Sequence, residues 1–458
     1  MKTNQKASKA SVSMKTSAYD NLRRTIMASL LFEDTFYEDG ESAADRVARY
    51  MNEVSPEQAR AALKEAKEDN KLRHMPLYLL TLMAKRGILT SKDVENTVTR
   101  VDDMAELLAL YQKDTSNKHM IPHSIQKGIA KAFPKFDEYQ LGKYKGSKDA
   151  IKLRDVIRLA HPKPENDAQS ALWKKVVEGT LATPDTWEVA LSATKDKKAE
   201  WTRLLTEKTE KGQNKLGALA LLRNLRGMQE AGVDNKVIRE AIKSASVGKI
   251  LPFQFLTAAR YAPNMSDLIE MKFFESMTNV EKLHGSTIVL IDRSGSMSSN
   301  LSSKSDTRRC DVAGALGAIA RATVEDGDEV IIYGFEEDIT AIPSHLKGFA
   351  LAHELARANG GTRVYRSVNH AVNNFQATHD GACPDRVIVI TDEQDNGGWY
   401  SNSEKLVNLP KKSHGYMVNV GTYEHGIKYN KNSGWTTISG WSDSLIKYIS
   451  KAEAAKIL

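Results

Sequence analysis

Two rhythms of apolar and polar positions divide this chain. From about residue 18 to 280, apolar side chains recur three and four positions apart, the spacing that lines one face of a helix. Asn21 to Phe32 is the first such stretch, and Ala43 to Val54 follows a turn at Gly40. Ser55-Pro56-Glu57 reads as an N-cap with proline at the first helical position, opening a helix to about Asn70. Leu77 to Ala84 is apolar on every side, which predicts a helix enclosed by neighbours. Thr90-Ser-Lys-Asp opens another helix, and Val101–Tyr111, Ile125–Ala132, Leu153–Ala160 and Ala168–Glu178 continue the pattern. Lys215–Arg226, Asn235–Ser244 and Phe253–Tyr261 complete it. Helices with short connections predict an antiparallel stack of helical pairs, although no sequence repeat of fixed period accompanies them.

From about Gly285 the rhythm becomes strand and helix in alternation, the signature of a parallel, doubly wound sheet. Thr287–Asp292, Glu329–Phe335, Val387–Asp392 and His414–Val420 are strand-like, with a short edge strand near Ile339. Helices are expected at Arg308–Glu325, Leu346–Ala358, Val364–Gln376 and Leu445–Ile457.

The first of these strands ends abruptly in Asp292-Arg-Ser294-Gly-Ser296. Such a carboxyl edge is where open α/β sheets bind ligands. One carboxylate and two hydroxyls in a single loop are hard donors suited to Mg2+ or Mn2+, with Ca2+ as a further candidate. On its own the tripeptide pattern reads equally as a plain turn. Gly360-Gly361-Thr362 adds a third hydroxyl, and the strand ending Thr391-Asp392 adds a second carboxylate. In that order, these segments resemble the von Willebrand factor A domain and its metal-ion-dependent adhesion site. The resemblance implies Asp292, Ser294, Ser296, Thr362 and Asp392 as metal ligands, with a coordination position left for an acidic group of a protein partner. Glu393 and Asp395 are expected to make the rim acidic.

Composition changes the picture in three ways. No apolar run approaches the length of a membrane span. The start, Met1 to Ser17, carries four lysines and no acid or apolar core, which reads as a flexible basic tail and not a secretory signal. Cys310 and Cys383 make no metal spacing, and so few thiols predict a reduced, cytoplasmic protein. The net charge of +7 is uneven: residues 285–458 hold 18 basic and 20 acidic residues, so the excess lies wholly in the helical part. A nucleic-acid surface is to be sought there.

Helices followed by an A-type domain resemble the Ro ring proteins, whose helical part is the TROVE module (telomerase, Ro and vault). The resembling stretches are Arg23–Tyr37, Leu72–Leu77, Asp155–Pro164, Pro184–Glu188, Lys215–Arg226 and Leu251–Thr257. The chain is thus identified as similar to bacterial or phage Ro-like proteins. The resemblance implies a fold of two parts after a tail at 1–17. An all-α, HEAT-like helical-repeat ring would span 18–284, and an α/β doubly wound A-type domain 285–458. The resemblance also implies a monomer that binds Y-like RNA on its basic outer surface and single-stranded 3′ ends of misfolded RNAs in its central hole. An exoribonuclease such as polynucleotide phosphorylase is the implied protein partner.

Phosphate contacts supply most affinity in such a system, so exposed cations are the candidates. Lys143-Tyr144-Lys145-Gly-Ser-Lys148 is the densest cluster, with Lys152 and Arg154 beyond it, and Tyr144 is placed to stack on a base. An ordinary solvated loop reads the same way. Arg158, His161 and Lys163 fall in one of the resembling stretches, where His161 also suits a helix C-cap. Lys127 and Lys131 share a helix face, and Lys215, Arg223 and Arg226 are read on another helix. No nucleotide loop or zinc spacing is present, so catalysis is not expected. The rival readings are an adaptor whose metal site captures an acidic ligand, and a metal-dependent nuclease, against which the hydroxyl-rich donor set argues.

Overall fold

The computed structural model describes residues 17–28, 40–69, 72–113, 120–144, 151–208, 214–248, 250–278, 282–301, 306–393, 405–421 and 433–439, with positions 212, 280, 427, 446, 449 and 453. The basic tail, Lys145, Lys148, Asp395 and most of the helix expected at 445–457 lie outside these residues. Among the described residues, no helix is long and apolar enough to cross a membrane.

Local signals fix several helix ends. Helix α1 runs Ala18–Ala28, α2 Gly40–Glu53 and α3 Pro56–Lys64. Ser55 caps α3 as expected: its hydroxyl accepts from the Gln58 backbone N–H, and the Gln58 side chain accepts from Ser55 N–H. Beyond Lys64 the turn widens into a π-segment, Glu65–Asp69, so the helix predicted to Asn70 is irregular in its last turn. Helix α4, His74–Lys85, buries every residue from Met75 to Met83, which explains its lack of a polar face. Next come α5 (Ser91–Thr97), α6 (Val101–Lys113), α7 (His123–Ala132), α8 (Glu138–Gly142), α9 (Leu153–Ala160) and α10 (Asp167–Glu178). The series continues through α11 (Trp187–Ala193), α12 (Lys197–Thr206), α13 (Ala218–Glu230), α14 (Asn235–Ser244), α15 (Pro252–Tyr261) and α16 (Ser266–Ser276).

Helices two apart in the chain stack side by side: α2–α4–α6, α5–α7–α9, α12–α14–α16 and α13–α15. Consecutive helices such as α13 and α14 pack across, giving two layers. These layers do not stop where the strands begin. Helix α17 (Arg309–Thr323) packs on α15, and α18 (Gly348–Leu355) packs on α16, so each layer gains its next member from the α/β part. Glu270 of α16 accepts the Phe349 backbone N–H at 2.6 Å, capping α18 from the neighbouring helix.

Among the described residues, the α/β part holds a six-stranded sheet in the order β3-β2-β1-β4-β5-β6. Its strands are β1 (Thr287–Asp292), β2 (Val330–Phe335), β3 (Ile339–Ala341), β4 (Arg386–Thr391), β5 (His414–Asn419) and β6 (Trp435–Ser439). All neighbours are parallel except β3, an antiparallel edge strand. Strands β1 and β4 are apolar without alternation because both faces are covered. Val289 and Ile291 face α17, α18 and the helical part, whereas Ile288 and Leu290 face α19 (Val364–Thr378).

The hydrophobic core therefore divides differently from the sequence texture. Residues 22–181 enclose one core; residues 201–283 share a second with one face of the sheet. The expected boundary at 284/285 separates helix from strand but not core from core. At the other end, α1 packs against β6, so the chain closes on itself.

The small residues of α17 permit its close approach to α18. A Cβ at Gly314 would lie 2.4 Å from the Ala352 carbonyl oxygen, which belongs to backbone and cannot swing aside. Gly314→Ala is expected to destabilise the protein by about 1–3 kcal/mol in chemical denaturation. An unchanged midpoint and slope would mean that the two helices are not in this contact.

Candidate metal centre and nucleic-acid interface

Strand β1 has β2 on one side and β4 on the other, and the chain leaves it in opposite directions to reach them. The crevice at the carboxyl ends of β1 and β4 is therefore the switch point of the sheet. Asp292 ends β1, and Asp392 follows the last residue of β4; both are fully buried. Ser294 N–H donates to Asp292 Oδ1 at 2.8 Å, and the Ser294 and Ser296 hydroxyls lie 3.1 Å apart. Gly295 N–H donates to the Gly360 carbonyl at 3.0 Å, and Asn359 N–H to the Arg293 carbonyl at 2.7 Å. These two bonds clip the loop carrying buried Thr362 against the Asp292–Ser296 loop. All five sequence-predicted ligand residues thus meet at one sheet edge.

Burial pushes the Asp292 carboxyl up to about 7; the nearby Asp392 carboxylate adds to the rise, while hydrogen bonds from Thr391 and Ser294 oppose it. Two buried carboxylates, one of which raises the proton affinity of the other, and three hydroxyl residues form an all-oxygen donor set. That set fits a hard divalent cation.

Two participants were not read from the sequence. Thr391 Oγ1 donates to Asp292 Oδ2 at 2.5 Å and accepts the Glu393 N–H at 3.0 Å, locking the two strand ends together. Arg309, only 4% exposed, lies with Nη1 3.2 Å from Asp392 Oδ2. No spacing links 309 to 392. Leu301 N–H donates to Thr307 O at 2.7 Å and Arg309 N–H to Ser299 O at 3.0 Å, and this pairing brings the start of α17 back to the site. Glu393 corrects an expectation: it is buried with a left-handed φ of 59°, not an acidic rim residue.

Helix α15 holds the segment leading into α17 from the helical side. Arg260 Nη2 donates to Asp311 Oδ1 at 2.8 Å, Tyr261 OH donates to Asp306 Oδ2 at 3.0 Å, and the Thr257 and Thr307 hydroxyls are 3.3 Å apart.

The candidate RNA residues sort by exposure. Lys127 and Lys131 project from α7, and Arg154 and Arg158 from α9, the helix stacked on it. Lys143, Lys152, His161 and Lys163 are exposed beside them. Lys131 pairs with Glu95 at 3.8 Å and Arg154 with Asp155 at 3.8 Å, distances at which each cation remains available. His161 is the C-cap of α9 in the left-handed conformation, φ 49°, so its backbone role and an exposed ring coexist. The basic group borders a cleft of about 270 Å3 between α6, α9 and α10, lined by Asp102, Tyr144, Lys152 and Arg154 among others.

Tyr144 and Lys215 differ from expectation. The Tyr144 hydroxyl accepts from Arg100 Nη2 at 2.8 Å and its ring is partly packed on the core, so it is held rather than presented for stacking. Lys215 precedes α13, which starts at Ala218, because Gly217 caps that helix. Its ammonium pairs with Asp185 at 2.5 Å and Glu207 at 3.0 Å, in a cluster that also holds Arg203. These hydrogen bonds raise the Lys215 pKa. Arg223 and Arg226 are exposed on α13, where Arg226 lies over the Tyr261 ring, 5.5 Å from its centroid.

Residues 171–285 match the TROVE domain. Among solved structures, the chain is similar to the crystal structure of the Deinococcus radiodurans Ro (RSR) protein, with a TM-score of 0.60 and 17% identity over 95% of this chain and 100% of that one. Proximal thread matrix protein 1 from the mussel byssus matches 55% of this chain and 77% of its own length at 11% identity, but its TM-score of 0.23 supports no argument. No curated protein matches the chain in sequence.

Proposed function

We propose that this chain, whose fold is that of a bacterial Ro protein and whose residues 171–285 match the TROVE domain, is a non-enzymatic RNA-binding ring protein. The observation that carries the proposal is the group of exposed cations on the stacked helices α7 and α9, with Arg154 and Arg158 one helical turn apart. Guanidinium and ammonium groups on adjacent helices track a phosphate backbone without reading its sequence. Y-like RNA is proposed to lie along this outer surface, and single-stranded 3′ ends of misfolded RNAs to enter the hole of the ring. The work is then noncoding-RNA quality control in the cytoplasm, beside an exoribonuclease.

The α/β part is proposed to be an A-type domain that binds a divalent cation, most simply Mg2+. Asp292 and Asp392 would supply the charge, and Ser294, Ser296 and Thr362 the neutral oxygens. A bound cation would offer its remaining coordination position to a carboxylate of a partner. A second reading, an adaptor that captures such an acidic ligand, is favoured by the burial of both carboxylates, since Arg309 balances one of the two charges and a cation would balance the other.

RNA crosslinked to the tagged protein in its own cells tests the first reading. Structured RNAs with free 3′ tails are expected to be enriched, and lost when Arg154 and Arg158 are both changed to Glu. RNA recovery no greater than from an unrelated protein would leave the adaptor as the better account.

A further inference from the structure

The Arg309 guanidinium is on the wrong side of the charge balance for a cation site. Only two carboxylates, Asp292 and Asp392, belong to the proposed ligand set, and a buried guanidinium already lies 3.2 Å from one of them. Arg309 is placed there by the chain itself: its backbone N–H donates to the Ser299 carbonyl at 3.0 Å, and it begins α17. The adjacent Asp311 is held by Arg308 at 2.9 Å and by Arg260 of α15 at 2.8 Å. The first turn of α17 is therefore fixed from two sides, which keeps Arg309 directed at the site.

We infer that Arg309 is a resident counter-ion that competes with the divalent cation for Asp392 and sets the affinity of the site low. The inference rests on the metal reading above. Counting the two ligand carboxylates as ionised, the guanidinium lowers the charge they offer a divalent cation from −2 to −1, and the Asp392 oxygen nearest Arg309 is already engaged. Binding then requires the guanidinium to withdraw from that oxygen or to remain as a repelling neighbour. Either way, metal and Arg309 exclude one another energetically, so the site loads only when divalent cation is plentiful. An arginine that merely oriented Asp392 for the metal would have the opposite effect on affinity.

The sign of one substitution separates these roles. Mn2+ binding to the full chain is measured by titration calorimetry and by the loss of the free-ion paramagnetic resonance signal. Arg309→Gln is expected to bind Mn2+ at least about tenfold more tightly than the natural protein. The same variant, measured in chelator, is expected to melt at a lower temperature because Asp392 loses its counter-ion; a purely structural role predicts the lower melting without the tighter binding. Equal or weaker Mn2+ binding by Arg309→Gln overturns the inference. No Mn2+ binding by either protein, or binding that survives Asp292→Asn together with Asp392→Asn, overturns the metal reading itself. Should Arg309→Gln fail to fold, Mg2+ is added to the natural protein labelled with 15N at arginine. The Nε resonance absent from Arg309→Lys is expected to shift on Mg2+ addition, and a resonance that stays in place overturns the inference.

Discussion

Reversing charge at Lys127, Arg154 and Arg158 together is expected to weaken binding of a single-stranded RNA oligonucleotide by about a hundredfold at physiological salt. All three side chains are at least partly exposed, so their replacement by Glu leaves the core unchanged. Each lost phosphate contact also removes about 0.7 from the slope of log affinity against log salt for a single strand. The variant should therefore show a slope shallower by about 2. Lys198 and Lys236, exposed on α12 and α14, serve as the control pair and should change affinity by less than about threefold when reversed. A fluorescence anisotropy titration across a salt series measures both quantities. Equal losses from the two sets of reversals would mean that net charge, and not the α7–α9 surface, draws the RNA.

The second large effect concerns pH in the absence of divalent cation. Asp292 titrates near 7 in the folded protein, raised first by burial and then by Asp392, against about 4 in an unfolded chain. A carboxyl raised in this way binds a proton in the folded state across the interval between the two values, where the unfolded chain has none. Folding stability from this group is then greatest at the acid end and falls as pH rises through about 7, where it levels. In chelator, the protein is expected to lose about 1–3 kcal/mol between pH 5 and 7.5, opposite to the usual behaviour of a paired carboxylate. Saturating Mg2+ at the upper pH should restore stability, because cation binds the ionised pair. Asp392→Asn should reduce the pH dependence without abolishing it, since burial is the larger cause. Chemical denaturation at both pH values, with and without Mg2+, reads each term. Stability in chelator that rises from pH 5 to 7.5 would show that Asp292 is already ionised in the folded protein.

The convergence of the carboxylates and hydroxyls was more legible in the sequence than the exposure of the cations, for a physical reason. Strand-ending carboxylates and a Ser-x-Ser loop act within a few residues of one another, and parallel strands bring their carboxyl ends to one edge whatever the connections do. Thus Asp292 and Asp392 could be paired from strand texture alone. Arg309 could not, because its approach depends on the pairing of Leu301 with Thr307, which leaves no periodic trace. Basic side chains carry no such constraint. Lys215 and Arg154 look alike in sequence, yet one is tied to Asp185 and Glu207 while the other stands at the surface. Helices α9 and α14 matched their predicted spans, because each has an apolar stripe and a marked end. Strand β6 was missed: Trp-Thr-Thr-Ile-Ser is short and half polar, and its place is fixed by pairing with β5. The continuation of both helical layers into α17 and α18 was also invisible, since it joins elements from either side of the change in texture.

The packing of α1 on β6 imposes a timetable on the nascent chain. At roughly 5–20 residues per second, α1 leaves the ribosome on the order of 20–80 s before its partner strand exists. Helix α1 also packs on α2, and Leu22 and Ile26 belong to that first core, so it has a local shelter while it waits. The core of residues 22–181 can thus be complete while the sheet is still being translated. The junction between α1 and β6 then forms only once β6 has been made, late in the assembly of the molecule. That junction therefore joins two parts that each have packing of their own, α1 in the first core and β6 beside β5 in the sheet.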